Sequence, residues 1–221
     1  NPATMVTQYG QTIADWVGDK VITQVASEAK YRERRDSVNA FNKVNKRRKR
    51  GLALVPLKFG ISFTATMLNQ GGALLNIYMD GSVSVNHGGT EMGQGLNTKM
   101  AQVCADGLGI DLSYVRVTGT DTQKVPNASA TSASSGADIN GAAIMNATAQ
   151  MRARLAPVAG NMLGCKDTEV NFANSMAHGG GKSVEWTAVA KQAWLDRVGL
   201  SVAGFYMTPE IKYDFATLTG H

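Results

Sequence analysis

Residues 87–99 combine the residue types and the spacing that best suit ligand chemistry, in the order His-Gly-Gly-Thr-Glu-Met-Gly-Gln-Gly-Leu-Asn-Thr-Lys. Their four glycines let the backbone approach a ligand closely and adopt positive φ. The unpaired N–H groups and partial positive charge at a helix N-terminus favour an anion, phosphate above all. The stretch therefore predicts an anion-binding turn, although a tight strand-to-helix turn without a ligand explains the same glycines.

A second stretch, residues 121–141, is rich in small hydroxylated side chains. From 129 to 136 every residue is Ser, Thr, Ala or Gly, a composition that also occurs in flexible linkers. The stretch leads directly into apolar residues at helical spacing, from Ile139 to Leu155, and Ser, Thr and Asp are typical N-cap residues. A linker and a second anion-binding helix start both remain open on composition alone.

The surrounding pattern predicts the elements that must position these two stretches. Asp80-Gly81 between apolar runs at 72–78 and 82–86 predicts a β-hairpin. A helix is expected to follow the glycine-rich turn and to end at Gly109. Strands alternating with helices indicate a mixed α/β fold of the α+β class. Further strands are expected at 51–60, 115–118, 167–172 and 200–206, and further helices at 20–42, 139–155 and 184–198.

Composition and charge limit the classes of function. The 221 residues are 43% hydrophobic and 18% charged, which favours a folded globular protein, and no apolar run has membrane-spanning length. The net charge of +5 is local, because residues 20–50 hold 11 of the 22 Lys and Arg residues. The basic run at 46–50 suits a nucleic-acid-binding patch. It lacks interleaved aromatic residues for base stacking, so a solvated connection is favoured.

Metal ligation by this chain's own side chains is not predicted. The two cysteines, Cys104 and Cys165, and the three scattered histidines lack the spacing of a zinc site. Two cysteines also cannot hold an iron–sulfur cluster. Cys104 falls on the apolar side of the predicted helix, which indicates a small buried hydrophobe.

Two strings are especially distinctive: residues 58–63, Lys-Phe-Gly-Ile-Ser-Phe, and residues 89–95, Gly-Thr-Glu-Met-Gly-Gln-Gly. With them go Lys49-Arg-Gly51, Val55-Pro-Leu57, Leu68-Asn-Gln70, Asp80-Gly-Ser-Val83, Val125-Pro-Asn127, Thr131-Ser-Ala-Ser134, Gly204-Phe-Tyr206 and Thr208-Pro209. Together these strings resemble the molybdopterin-binding subunit or domain of the molybdenum hydroxylases, the family of xanthine dehydrogenase, xanthine oxidase and aldehyde oxidase. The xanthine dehydrogenase branch is the most similar.

The resemblance implies the residues that would meet a molybdopterin carrying molybdenum. The first cofactor segment comprises Met92, Gly93, Gln94 and Gly95. The second comprises Thr131, Ser132, Ala133, Ser134 and Ser135, and it would contact the cofactor from the opposite side. Phe63 would stack on the aromatic substrate with Thr64 beside it, whereas without the resemblance Phe63 reads as a core phenylalanine. The resemblance assigns no metal ligand to this chain.

The resemblance further implies oxidative hydroxylation of hypoxanthine and xanthine towards urate, with water as the oxygen source. The family's 2Fe-2S clusters and FAD would lie on other domains or subunits of a cytoplasmic oligomer. Its catalytic base is a glutamate in a Gly-Glu-Pro-Pro context, which this sequence lacks. We therefore expect no catalytic residue in this chain and no turnover by the chain alone.

The expected organisation is a basic, largely helical lead-in at 1–50 and, at 51–221, an internal portion of a molybdopterin-binding domain from a longer chain. Three alternatives remain: an aldehyde oxidase-like hydroxylase, a basic nucleic-acid-binding module, and a relative that keeps the fold without the cofactor.

Overall fold

The computed structural model describes residues 5–6, 12–13, 16–57 and 59–220. The chain forms two compact units, one comprising Asn1–Gly60 with Tyr213–Gly220 and the other Ile61–Lys212. The predicted division after residue 50 stays a prediction. No helix among the described residues has both the length and the apolar character needed to span a bilayer.

The first unit contains helices α1 (Gly18–Glu28) and α2 (Tyr31–Val44), and a short hairpin of Tyr213–Asp214 with Thr219–Gly220. The single helix predicted at 20–42 is interrupted because Lys30 adopts a left-handed φ of 48°. Residues other than glycine rarely adopt a positive φ, and nothing in the sequence around Lys30 predicts one.

The strand predicted at 51–60 is wrong, because its described residues form no strand (Lys58 lies outside them). Pro56 cannot donate a ladder hydrogen bond. The preceding backbone is instead held by a side chain of α2: Arg50 N–H donates to Asn42 Oδ1 at 2.8 Å, and Asn42 Nδ2 donates to the Arg50 carbonyl at 2.9 Å. The Arg50 guanidinium lies 3.8 Å from the centroid of the Phe41 ring, so part of the basic run serves local structure.

The second unit is built from three helices and seven strands within its described residues. In chain order they are β1 (Gln70–Ile77), β2 (Val83–His87), α3 (Leu96–Leu108), β3 (Val115–Val117), α4 (Gly136–Leu163), β4 (Asn171–Ala173), β5 (Met176–Gly179), β6 (Lys182–Glu185), α5 (Trp186–Leu195) and β7 (Ser201–Met207). Short 3₁₀ turns lie at Thr66–Leu68, Leu112–Tyr114 and Asp167–Glu169. The mixed α/β class is confirmed.

The main sheet has the strand order β3-β2-β1-β7, with β2 and β3 parallel and the other pairs antiparallel. Strands β4, β5 and β6 form a separate antiparallel sheet. The predicted Asp80-Gly81 hairpin joins β1 to β2, and the Ser82 N–H donates to Asp80 Oδ1 at 2.9 Å. Gly109, at a φ of 73°, ends α3 as predicted. The strand predicted at 167–172 is mostly wrong, since a 3₁₀ turn occupies its first half.

Helices α3 and α4 pack against each other and against the main sheet, and their contact forms the hydrophobic core. The most deeply buried core side chains are Leu75, Val85, Met100, Cys104, Leu108, Ile144, Met151 and Leu155. Cys104 is a buried hydrophobe as predicted, and burial raises its pKa to about 12. Helix α4 runs eight residues beyond the predicted 155 and includes Pro157, because its last turns remain buried through Leu163.

Three polar side chains of α4, spaced four residues apart, bind the backbone of the edge strand β7. Phe205 N–H donates to Asn146 Oδ1 at 3.2 Å, and Gln150 Nε2 donates to the Ala203 carbonyl at 3.3 Å. Arg154 Nη1 donates to the Ser201 carbonyl at 2.9 Å. These bonds satisfy backbone groups on the side of β7 that faces away from β1, and they fix the axis of α4 relative to the sheet.

Gly204 sets how closely α4 approaches the sheet. A Cβ at this position would lie 2.1 Å from the Ala143 carbonyl oxygen and 2.9 Å from Ala147 Cβ. We expect Gly204→Ala to lower the free energy of unfolding by about 2–3 kcal/mol, because helix and strand must separate. Gly119→Ala is the matched control, since nothing lies within 4 Å of its added Cβ. Urea denaturation followed by circular dichroism measures both, and equal stabilities would contradict the packing.

Candidate functional site

The carboxylate of Glu91 organises the loop that precedes α3. Gly93 N–H and Gly95 N–H donate to its Oε1 at 2.8 and 3.0 Å, and Asn97 N–H donates to its Oε2 at 2.9 Å. The bond from Asn97, together with those from Gly95 and Gly93, lowers the pKa of Glu91 below its ordinary value of 4.5. An internal anion therefore already occupies the N-terminus of α3, where the sequence predicted an external one.

Gln94 closes the same loop through its amide. Its Nε2 donates to the Thr90 carbonyl at 2.8 Å, and its Oε1 accepts the Met92 N–H at 2.6 Å. The loop is thus held from within by two side chains, Glu91 and Gln94. Met92 projects beside them, 67% exposed.

His87 supports the loop from the end of β2. Its Nδ1 accepts the Gly89 N–H at 3.1 Å, so the ring proton lies on Nε2, which donates to Asn97 Oδ1 at 3.1 Å. The ring is 1% exposed. Burial lowers the pKa of His87 below its ordinary 6.5, outweighing the opposing effects of the bond to Asn97 and the charge of Glu91.

The second segment reaches the loop through direct hydrogen bonds. Thr90 N–H donates to Thr131 Oγ1 at 2.8 Å. Asn140, on the second turn of α4 and 6% exposed, accepts the Gly88 N–H at 3.1 Å and donates to the Gly136 carbonyl at 2.8 Å. One buried amide therefore ties the glycine-rich loop to the start of α4.

The start of α4 differs from the predicted side-chain cap. Ser135 is the N-cap residue, but its hydroxyl donates to the Ser132 carbonyl at 3.2 Å instead of accepting from the helix. Ala133 and Ser134 turn the chain through left-handed φ values of 53° and 55°. The backbone N–H groups of the first three helical residues, 136–138, bind no described partner. Those amides are available to a ligand.

A cavity of about 430 Å³ lies between the two segments. It is lined by Met92, Gln94, Leu96, Lys99, Thr131, Ser132, Ala133, Ser134, Gly136 and Ala137. Six of the nine predicted cofactor residues therefore meet at one cavity, and hydroxyl and amide groups supply most of its polar lining. Gly93 and Gly95 lie in the adjoining loop, and Ser135 is buried beneath the cavity wall at 2% exposure.

The predicted substrate residues, Phe63 and Thr64, are not among the cavity-lining residues, but their chain segment adjoins the second segment. Ser62 N–H donates to the Ala133 carbonyl at 3.0 Å. Buried Asn69 brackets the backbone of Phe63, accepting its N–H at 2.8 Å and donating to its carbonyl at 2.9 Å. Phe63 itself is half-buried. Its role, like those of the cofactor residues, stays a prediction.

The sequence analysis did not assign four residues that the structure places in or beside the site. Glu91 and Lys99 lie inside the glycine-rich stretch, where the spacing Glu-x-Gly-x-Gly was itself a signal for a carboxylate accepting from turn amides. Asn140 and Asn69 act across long sequence separations. Nothing in their neighbourhoods identifies them, because their partners become close only in the fold.

Comparison with known proteins adds independent findings. A family model described as a molybdopterin cofactor-binding domain matches residues 24–221. Xanthine dehydrogenase of Emericella nidulans is 43% identical over 215 residues, covering 97% of this chain and 14% of the relative. Xanthine dehydrogenase/oxidase of Mus musculus is 40% identical over 216 residues, covering 98% of this chain and 15% of that protein. The chain thus spans about a seventh of the length of the curated relatives that it matches.

Solved structures share the fold at low sequence identity. Quinoline 2-oxidoreductase from Pseudomonas putida 86 has a TM-score of 0.71 and 18% identity, over 99% of this chain and 31% of that one. Reconstituted CO dehydrogenase from Oligotropha carboxidovorans has a TM-score of 0.67 and 18% identity, over 92% of this chain and 28% of that one.

The buried, neutral His87 makes stability depend on pH. Its folded pKa lies below 6.5, so the unfolded chain binds the proton first as pH falls, and stability is progressively lost below about pH 6.5. We expect His87→Gln to flatten this loss between about pH 6.5 and pH 5, above the range where carboxylates titrate. Urea midpoints across that range measure it, with His178→Gln as the control. An unchanged slope in His87→Gln would contradict the assignment.

Proposed function

This chain belongs to the family of molybdopterin cofactor-binding domains, and from that premise we propose that it is a segment of the molybdenum-cofactor subunit of a xanthine dehydrogenase. The complete protein would hydroxylate hypoxanthine and xanthine towards urate, with water as the oxygen source. Identities of 40–43% to xanthine dehydrogenases over nearly the whole chain support the purine branch.

The observation that carries the proposal is the single cavity shared by both predicted cofactor segments. Its lining of hydroxyls, one amide side chain and one lysine fits a polar ligand that bears phosphate. The backbone N–H groups at the start of α4 have no described acceptor, and a phosphate oxygen could accept hydrogen bonds from them. When bound, the molybdenum cofactor supplies the redox chemistry, and the protein supplies orientation and electrostatics.

The residues of this chain would then hold the cofactor from two sides. Met92 and Gln94 contribute the wall formed by the glycine-rich loop. Ser132 and Ser134 contribute hydroxyls from the opposite wall, in the tight left-handed turn before α4. Because Glu91 and Asn140 fix both walls by hydrogen bonds, little rearrangement is needed on binding, which favours affinity.

Phe63 would orient the purine through its aromatic ring, with Thr64 beside it. The bonds from Asn69 hold the Phe63 backbone, and the Ser62–Ala133 bond joins this segment to the second cofactor segment. An aromatic residue whose backbone is already held in place would lower the entropic cost of stacking a planar substrate.

The remaining machinery would come from other parts of the complete protein. The chain covers about 14% of its xanthine dehydrogenase relatives and contains no Glu-Pro-Pro string. We assign the catalytic base, the 2Fe-2S clusters and FAD to those other parts, in a cytoplasmic oligomer. Within the chain, residues 1–50 serve as a basic lead-in, and 51–221 form an internal portion of the cofactor-binding domain.

The isolated chain is expected not to convert hypoxanthine, whereas the complete protein does so in the presence of an electron acceptor. Urate formation measured by absorbance tests both, and molybdenum and pterin contents are determined on the same samples. Turnover by the isolated chain would contradict the assignment of the base to another segment. A complete protein without molybdenum or pterin would contradict the proposed function itself.

Phe63→Leu in the complete protein is expected to raise the KM for hypoxanthine about fivefold, since an aromatic contact contributes roughly 1 kcal/mol. Pterin content should stay unchanged because Phe63 does not line the cofactor cavity. Phe205→Leu is the matched control, on a side chain 45% exposed on β7. Equal KM values for wild type and Phe63→Leu would exclude the substrate role.

A further inference from the structure

Phe63 lies in a loop, residues 61–69, whose first half is held by no helix or strand. Residues 61–65 belong to neither, and the 3₁₀ turn Thr66–Leu68 follows them. Ser62, directly before Phe63, adopts a left-handed φ of 79°, which residues other than glycine rarely take. Such a conformation persists only where surrounding contacts enforce it, so those contacts decide where the Phe63 ring lies.

Both backbone groups of Phe63 are bound by one side chain, that of Asn69. Asn69 Oδ1 accepts the Phe63 N–H at 2.8 Å, and Asn69 Nδ2 donates to the Phe63 carbonyl at 2.9 Å and to the Thr66 carbonyl at 3.3 Å. Asn69 is 2% exposed, so water has little access to replace these bonds. Asparagine suits this position because its amide carries an acceptor and a donor side by side, whereas an ionised aspartate only accepts.

The backbone of Asn69 is itself anchored to the main sheet. Asn69 directly precedes β1, and its carbonyl accepts the Thr208 N–H at 2.9 Å, immediately after β7 ends. Its own N–H donates to the Thr66 carbonyl at 3.0 Å. Through Asn69, the position of two paired strands therefore determines the position of the Phe63 backbone.

The loop is also joined to the chain that forms the second cofactor segment. Ser129 Oγ donates to the Leu68 carbonyl and lies 3.2 Å from the Gln70 carbonyl oxygen. At the other end of the loop, the Ser62 N–H donates to the Ala133 carbonyl at 3.0 Å. Both ends of the loop are thus held against a segment that lines the cavity.

We propose that Asn69 is a positioning residue for the purine substrate, because it fixes the Phe63 backbone, and with it the ring, relative to the second cofactor segment. This rests on the proposed function and deepens it by identifying what places the stacking ring. Asn69 acts through Phe63 and is not a catalytic residue. Loss of its bonds weakens purine binding and leaves the redox chemistry, which the cofactor supplies, unchanged.

The test is a double-mutant cycle in the complete protein, with hypoxanthine as the substrate. Asn69→Asp keeps the acceptor for the Phe63 N–H, but its carboxylate faces the two carbonyl oxygens to which Nδ2 donates. We expect Asn69→Asp to raise KM about fivefold, as Phe63→Leu does, with kcat within about twofold of the wild type. The double variant should also show a rise of about fivefold, because the ring that Asn69 positions is already absent.

A rise of about 25-fold in the double variant would show two independent effects and would overturn the positioning role. An unchanged KM in Asn69→Asp would overturn it as well. Asn45→Asp is the matched control in the first unit, since Asn45 Nδ2 also donates to a backbone carbonyl, that of Phe41 at 3.0 Å, and it should leave KM unchanged. A wild type that does not convert hypoxanthine would overturn the proposed function, and this inference with it.

Hydrogen exchange tests the placement without substrate or cofactor, on the complete protein from a host that lacks molybdopterin. Peptides that span residues 61–69 should exchange about tenfold faster in Asn69→Asp, whereas peptides of α4 should exchange at the wild-type rate. Equal exchange of the loop in both proteins would contradict the proposal.

If α4 also exchanges faster, the variant is destabilised as a whole, and Ser129→Ala takes its place in the cycle. This variant removes only the hydroxyl bonds to the loop. We expect it to raise KM about twofold in the wild-type background and to have no effect in the Phe63→Leu background. The same rise in both backgrounds would overturn the positioning of Phe63.

Discussion

The candidate site depends on the hydrogen bonds made by the buried side chain of Asn140. It connects the glycine-rich loop to the start of α4 across 52 residues of sequence, through Gly88 N–H at 3.1 Å. Its approach requires glycine nearby, because a Cβ on Gly89 would lie 2.9 Å from Asn140 Nδ2 and 2.5 Å from Leu96 Cδ2. Gly88 and Gly89 thus serve the close approach of two protein segments, whereas Gly93 and Gly95 serve the turn through left-handed φ values of 95° and 76°. The cavity lies between segments that Asn140 holds at this separation.

The N-termini of α3 and α4 differ in whether a protein group satisfies their backbone N–H groups. At α3 an internal carboxylate, Glu91, satisfies the turn amides and stiffens the loop. At α4 the first amides are left without a protein partner, and the N-cap hydroxyl of Ser135 points back to Ser132. A helix start that is saturated has a structural role, whereas one that is unsaturated beside a polar cavity is ready for a ligand. The polar bonds from α4 to the edge of β7 hold that second helix start in position.

Local patterns predicted the elements with strong short-range signals. The Asp80-Gly81 turn, the end of α3 at Gly109 and the buried Cys104 follow from backbone geometry and helical spacing, which act over a few residues. The failures share a cause in tertiary structure. The backbone leading into the predicted strand at 51–60 is tied to Asn42, and α4 continues past Pro157 because distant core residues pack on it. Resemblance to a family predicted both cofactor segments, which the structure brings to one cavity. The positions of Glu91, Lys99 and Asn140 around that cavity became visible only in the fold.

The most direct test of the two-walled cavity is an experimental structure of the complete protein with its cofactor bound. We predict that the pterin lies between Gln94 and Ser134, with atoms of both residues within hydrogen-bond distance of it, about 3 Å. Density for the cofactor on another surface of this domain, with the cavity filled by water or side chains, would contradict the account.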